Sequence, residues 1–186
     1  MPIRWNFNDD FSFSNQQFAR IYRFFVVETP VDDVSQRGIS FKQRGWNLNS
    51  LNAALKRSTA FLKTNWVVST AKDAENQMKA HKIFDSVRMP IEIAIHTTRN
   101  DSNTVGLFYS IRCAFAHGAF SIHTCNGEKY YMLKNKDKGI YKGRIVIKES
   151  SLISIIDTVE SEPPKRKEKK KAVKKKETRK KELLPV

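Results

Sequence analysis

Tyr109-Ser110-Ile111-Arg112-Cys113-Ala114-Phe115-Ala116-His117-Gly118 places an arginine and a histidine five residues apart inside an otherwise apolar segment. Polar groups in apolar surroundings cost free energy unless something matches them. A guanidinium is always charged and its fork fits phosphate, while an imidazole is the side chain most easily poised as a proton acceptor near neutral pH. The pair therefore reads as a phosphodiester site. Asn100-Asp101-Ser102-Asn103 is a turn whose last members can cap a helix, and Gly118 stands where a left-handed residue closes one. The spacing predicts a helix over 104–117 that carries both candidate residues.

On the N-terminal side, Ser14-Asn15-Gln16-Gln17 has the form of a capping box. Phe18, Ile21, Tyr22, Phe25 and Val26 then recur at helical spacing up to about Glu28. Thr29-Pro30 ends that helix, and residues 31–45, with Gly38 and Gly45, read as an irregular loop. Leu51, Ala54, Leu55, Ser58, Leu62 and Trp66 line one face of a second predicted helix from about Asn49. A third begins near Asp73 with Met78, Ile83, Phe84 and Val87, and Ile91, Ile93, Ala94 and Ile95 continue it past Pro90 as a buried segment.

Beyond Gly118 the period changes to two. Phe120, Ile122 and Thr124 alternate with Ser121, His123 and Cys125, and Asn126-Gly127 is a strong two-residue hairpin signal ahead of Tyr130 to Leu133. Residues 140–148 form a further strand-like run, and Ser150 caps a final helix through Leu152, Ile155, Ile156 and Val159. The expected fold is mainly α, a helical bundle with a small antiparallel hairpin or three-stranded sheet appended.

At 186 residues the chain suits one domain, expected over 1–162, plus an extension. Pro163-Pro164 marks the border. Residues 165–186 carry 12 Lys or Arg against three Glu, so +9 of the formal +15 sits in this segment and only +6 in the first 164 residues. Such a segment, 163–186 with its prolines, is expected to be disordered alone. Its cations, Lys165, Arg166, Lys167, Lys169, Lys170, Lys171, Lys174, Lys175, Lys176, Arg179, Lys180 and Lys181, are candidate nucleic-acid contacts acting through counterion release. A tail that only aids solubility is the alternative. No apolar run approaches the ~20 residues of a membrane span. The N-terminal ten residues are polar and acidic, so a cytoplasmic protein is expected. Two cysteines are too few for a disulfide scaffold and lack zinc-ligand spacing, and no metal or other cofactor is expected.

RNA carries its own nucleophile, the 2′-hydroxyl. Its cleavage needs no metal if a base takes that proton and a cation stabilises the charge gathering on phosphorus. His117 is the candidate base and Arg112 the candidate phosphate clamp. Residues five apart on an ideal helix differ by about 140° around its axis. A homodimer that packs two copies of the helix about a two-fold axis would bring both pairs into one cleft.

The segment Arg112-Cys113-Ala114-Phe115-Ala116-His117-Gly118 resembles the arginine-x4-histidine motif of the HEPN superfamily, and the hairpin and the 139–159 segment after it are similar to a plasmid- and defence-associated branch. That resemblance implies a small, usually dimeric helical bundle. It also implies metal-independent ribonuclease activity in a toxin-antitoxin or phage-defence setting, with an antitoxin or defence-system protein as a further partner. It makes Arg112 and His117 catalytic, with Cys113, Phe115 and Gly118 supporting the motif. Active members usually carry a polar residue after the arginine, where this chain has Cys113. A catalytically inactive module that binds RNA or a partner protein is therefore the alternative reading.

The remaining candidates have plainer readings beside the functional ones. His81 reads as a surface residue, and His96 as either a structural group or a member of the cleft. His123, on the strand face opposite Phe120 and Ile122, is the possible auxiliary imidazole. Trp5, Trp46, Trp66, Tyr130 and Tyr131 could stack bases but fit core positions better. Cys113 and Cys125 read as small reduced thiols rather than a redox switch.

Overall fold

Ile145 and Ile147 point to one side of their strand and Val146 to the other, and all three are buried in two different apolar clusters. A strand buried on both faces belongs to a sheet covered on both faces. The structure, a computed structural model, describes residues 2–4 as backbone and residues 16–32, 34, 37–99 and 102–163 in full.

In chain order, β1 (Pro2–Arg4) is followed by α1 (Gln16–Tyr22), which widens into a π-helical turn over Arg23–Val27 closed by Glu28 N–H to Arg23 C=O. Next come α2 (Leu48–Ser58), a 3-10 turn at Ala60–Thr64, β2 (Asn65–Val68), α3 (Ala71–Ala80) and β3 (Ser86–Arg88). Then follow β4 (Ile93–Thr97), α4 (Asn103–Ala116), β5 (Phe120–Cys125), β6 (Glu128–Asp137), β7 (Ile140–Lys148) and α5 (Glu149–Glu160). The main sheet has the order β2-β4-β7-β6-β5, parallel at β2–β4 and antiparallel elsewhere, while β1 and β3 form a separate antiparallel pair.

The helices divide between the faces. Ala94, Phe120, Tyr131, Leu133, Ile145 and Ile147 meet the apolar sides of α1, α2, α4 and α5 in one core. Ile93, Ile95, Tyr130, Met132 and Val146 lie in the second core, which includes Ala74 and Met78 of α3. Fully burying one large apolar side chain is worth roughly 1.5–3 kcal/mol. The 26 buried residues of the first core therefore dominate the stability of the fold.

These observations overturn the expectation of a mainly helical bundle with a small appended sheet. Five α-helices share the described residues with a five-stranded mixed sheet, and the fold is α/β. Two stretches account for the difference. Ile93, Ala94, Ile95 and His96 are all buried because β4 lies inside the sheet, so the run shows no alternation. A short apolar run of that kind cannot be told from a buried helix by periodicity. Trp66 does not extend α2. The chain leaves that helix at Thr59, whose extended backbone and Oγ, accepting from Phe61 N–H at 3.2 Å, start the 3-10 turn that delivers Trp66 to β2. Likewise Val87 lies in β3 rather than on the third helix.

The hairpin takes the expected form. Asn126 and Gly127 both have positive φ, 51° and 76°, as a tight turn between twisted strands requires. Ser150 does not cap α5. Its N-cap is Lys148, without a side-chain hydrogen bond, and Glu149 opens the helix. The Ser14 capping box, Trp5 and the whole basic segment from Lys165 to Lys181 lie outside the described residues.

Candidate nucleic-acid site on the central helix

The helix α4 starts where Ser102 Oγ accepts from Val105 N–H at 3.3 Å, and it ends in a paired closure. Gly118 N–H donates to Phe115 C=O at 3.2 Å, and Ala119 N–H donates to Ala114 C=O at 2.8 Å. With Gly118 at φ +62°, this is the Schellman arrangement, and it seats His117 as the C-cap. His117 is therefore held by backbone at the end of the helix, with its side chain exposed.

Most of α4 is inside the protein. Leu107, Phe108, Ile111, Cys113, Ala114 and Phe115 are buried, and Phe115 packs its ring against Tyr22, Phe25 and Phe120. What remains accessible is the first residue, Asn103, and one stripe, Val105, Tyr109, Arg112 and Ala116, spaced by four, three and four residues, together with the exposed end at His117. The Arg112 guanidinium lies on that stripe, half-buried, and its Nε is shielded from solvent with no hydrogen-bond partner among the described residues. Arg112 and His117 thus both keep a route to solvent, on different sides of the helix axis as a five-residue spacing dictates. Phe115 and Gly118 act as core anchor and helix closure. Cys113 is buried, and its thiol near the Tyr109 phenol, together with burial, pushes the phenol above its ordinary pKa. Both cysteines are unpaired thiols.

One further residue enters this surface that nothing local in the sequence singles out. Arg99, in the bridge that leads into α4, sets its guanidinium carbon 3.9 Å from the centre of the Tyr109 ring, and its own Nε is also buried without a partner among the described residues. The signal that could have revealed it is Gly106. A glycine in a helix interior costs about 1 kcal/mol relative to alanine and marks a close approach. A Cβ at Gly106 would stand 2.6 Å from Thr97 O and 3.2 Å from Arg99 N. The helix rests directly on the backbone that carries Arg99.

His96 lies beneath the same contact, completely buried, with Nδ1 donating to Thr97 C=O at 3.0 Å. It is structural rather than part of an open cleft. Burial lowers its pKa to about 4, against the smaller opposing effect of that hydrogen bond. Beside it in the sheet, across Gly143, Asn135 Nδ2 donates to Ser110 Oγ at 3.4 Å.

His123 bonds to Ser121 Oγ through Nε2 at 2.8 Å. Alternation puts it on the sheet face away from Phe120, and so away from α4. Within one chain it does not join Arg112 and His117. His81 is not a free surface residue, because its ring lies 4.2 Å from that of Trp66. Trp46, Tyr130 and Tyr131 are buried and offer no face for a base.

Among the described residues no three His, Cys, Asp or Glu side chains gather into a metal-binding group, and no helix is long and apolar enough to cross a membrane. Comparison with protein-family models, curated proteins and solved structures finds no match to this chain.

Proposed function

We propose that the chain is a metal-independent RNA endonuclease of the HEPN type, with Arg112 and His117 as its catalytic residues. The observation that carries this reading is that Arg112 and His117 both remain accessible on a mostly buried helix. The spacing of the pair within Arg112 to Gly118 supports the family assignment. The sheet-based fold means that this assignment rests on the motif.

In the proposed reaction the neutral His117 imidazole takes the proton of a 2′-hydroxyl, and the resulting oxygen attacks the adjacent phosphorus. A 2′,3′-cyclic phosphate forms as the bond to the 5′-oxygen breaks, and that oxygen receives a proton from the His117 imidazolium of a second copy. Arg112 holds the non-bridging oxygens and opposes the charge that builds on them. A homodimer through the α4 stripe lets the pairs of two copies complement each other across the two-fold axis. The basic segment after Pro164 raises the local concentration of RNA through salt-sensitive attraction.

Purified wild type, His117→Ala and Arg112→Ala are incubated with a mixed RNA pool in excess chelator, and the new ends are analysed for cyclic phosphate. Cleavage by wild type and a loss of roughly 10²–10⁴-fold in His117→Ala are expected, the usual contribution of a general base. Undiminished cleavage by His117→Ala refutes the assignment. A wild type that binds RNA and cuts none of it points to the inactive module.

A further inference from the structure

We propose that Arg99 is a second phosphate-binding residue of this site, held against Tyr109 so that Arg99 and Arg112 grip neighbouring phosphates of one single-stranded RNA. The proposal rests on the RNA-binding reading above and adds a residue that the arginine-histidine motif does not contain.

Three observations carry it. First, Arg99 is fixed by backbone rather than by its own side chain. Arg99 and Ser102 form a bridge in which Ser102 N–H donates to Arg99 C=O at 3.0 Å, Thr98 N–H donates to Val68 C=O at 3.0 Å, and the missing Cβ at Gly106 lets α4 close onto the same segment. Second, the Tyr109 ring positions the guanidinium. Tyr109 leaves α4 on its accessible stripe, and Arg99 lies over the face of its ring at 3.9 Å. Arg112 leaves the helix three residues after Tyr109, on the same accessible stripe, so both arginines serve one face of α4. Third, both arginines are only half-buried, and neither is in an ion pair among the described residues.

Lys142 shows the contrast. Its charge also acts on Tyr109, but its amine is committed to Asp137 at 2.6 Å. Arg99 and Arg112 have no such carboxylate among the described residues, which leaves their half-exposed guanidiniums open to an anion. Guanidinium forks match phosphate oxygens in pairs, and successive phosphates of a single strand supply the repeat that two fixed forks require. Each contact of this kind releases counterions, so it is visible in the salt dependence of binding.

The test uses the full chain and a 2′-O-methyl RNA oligonucleotide, which cannot be cut, with affinity followed by fluorescence anisotropy across a salt series. Arg99→Ala is expected to weaken binding about tenfold at low salt and to reduce the slope of log affinity against log salt by about 0.7, the single-strand value for one phosphate contact. Arg99→Lys keeps the charge and should restore the slope. Tyr109→Leu removes the ring that aims Arg99, and should weaken binding while leaving the slope near wild type. An Arg99→Ala isotherm that superimposes on wild type at every salt concentration overturns the proposal, even if RNA is still cut. Conversely, a wild type that cuts nothing while Arg99→Ala shows the reduced slope defeats the nuclease reading and leaves the clamp standing.

Discussion

Acid should unseat the floor of the site, because His96 is held neutral inside the protein. Its Nδ1 faces only a carbonyl acceptor, Thr97 O at 3.0 Å, so Nδ1 carries the proton and Nε2 is the bare nitrogen. That Nε2 is buried with no partner among the described residues, and a proton arriving there would find nothing to receive it. The pKa is accordingly lowered from 6.5 to about 4 by burial. The unfolded chain takes up this proton near pH 6.5 and the native chain does not. The contribution is present in full above that pH and is lost as pH falls towards 4. At about 1.4 kcal/mol for each pH unit, the lost stability comes to about 3 kcal/mol by pH 4.

Carboxylates titrate in the same range, so the assay compares wild type with His96→Leu, which keeps bulk and cannot titrate. Urea unfolding of both is followed at several values from pH 7.5 to 4. The variant should be the weaker or equal protein at pH 7.5, lacking the hydrogen bond to Thr97, and the stronger one at pH 4. The gap between the two should move by about 3 kcal/mol. Parallel curves would show that His96 is accommodated as a cation, and would remove the argument from its buried, partnerless Nε2.

Two substitutions test the packing that supports the site. Gly106→Ala places a methyl group 2.6 Å from Thr97 O, a backbone atom that cannot swing aside. It should cost roughly 1–3 kcal/mol in urea unfolding, as overpacking does, and a neutral result would mean that α4 and β4 are farther apart than described. Tyr131→Phe removes the phenol that donates to the Glu149 carboxylate at 2.8 Å, leaving Lys129 at 3.9 Å as the nearest cation. A loss of about 1.5–3 kcal/mol is expected for a buried hydrogen bond to a charged group. A change inside 0.5 kcal/mol would show that water replaces it freely.

The parts of the fold legible in the sequence are those whose signals are local. α4 declared itself by a cap at Ser102 and a glycine at Gly118, and the β5–β6 hairpin by Asn126-Gly127. Each is set by neighbours within a few residues. β4 and β2 declared nothing, because what makes them strands is distant. β4 takes its place from β7 on one edge and β2 on the other, and helices on both sides erase the period of two. The resulting run of Ile93, Ala94 and Ile95 is what a buried helix would also write. Without those distant neighbours the two strands look helical, which makes an α/β protein look like a bundle and sets Trp66 on a helix face instead of in β2.

The same division between local and distant causes governs the site. Arg112 and His117 were visible because an apolar helix makes any polar residue conspicuous. Arg99 lies in a polar turn, where an arginine needs no explanation, and it acquires one only when Gly106 lets α4 settle on that turn. A helix of this amino-acid composition has every apolar reason to bury its whole circumference, yet it leaves Tyr109 and Arg112 half-exposed and carries Arg99 over the Tyr109 ring. If packing alone had shaped that stripe, uncharged residues would serve as well. An anionic strand bound as proposed above would give both arginines, and the exposed His117 at the end of the helix, a common partner.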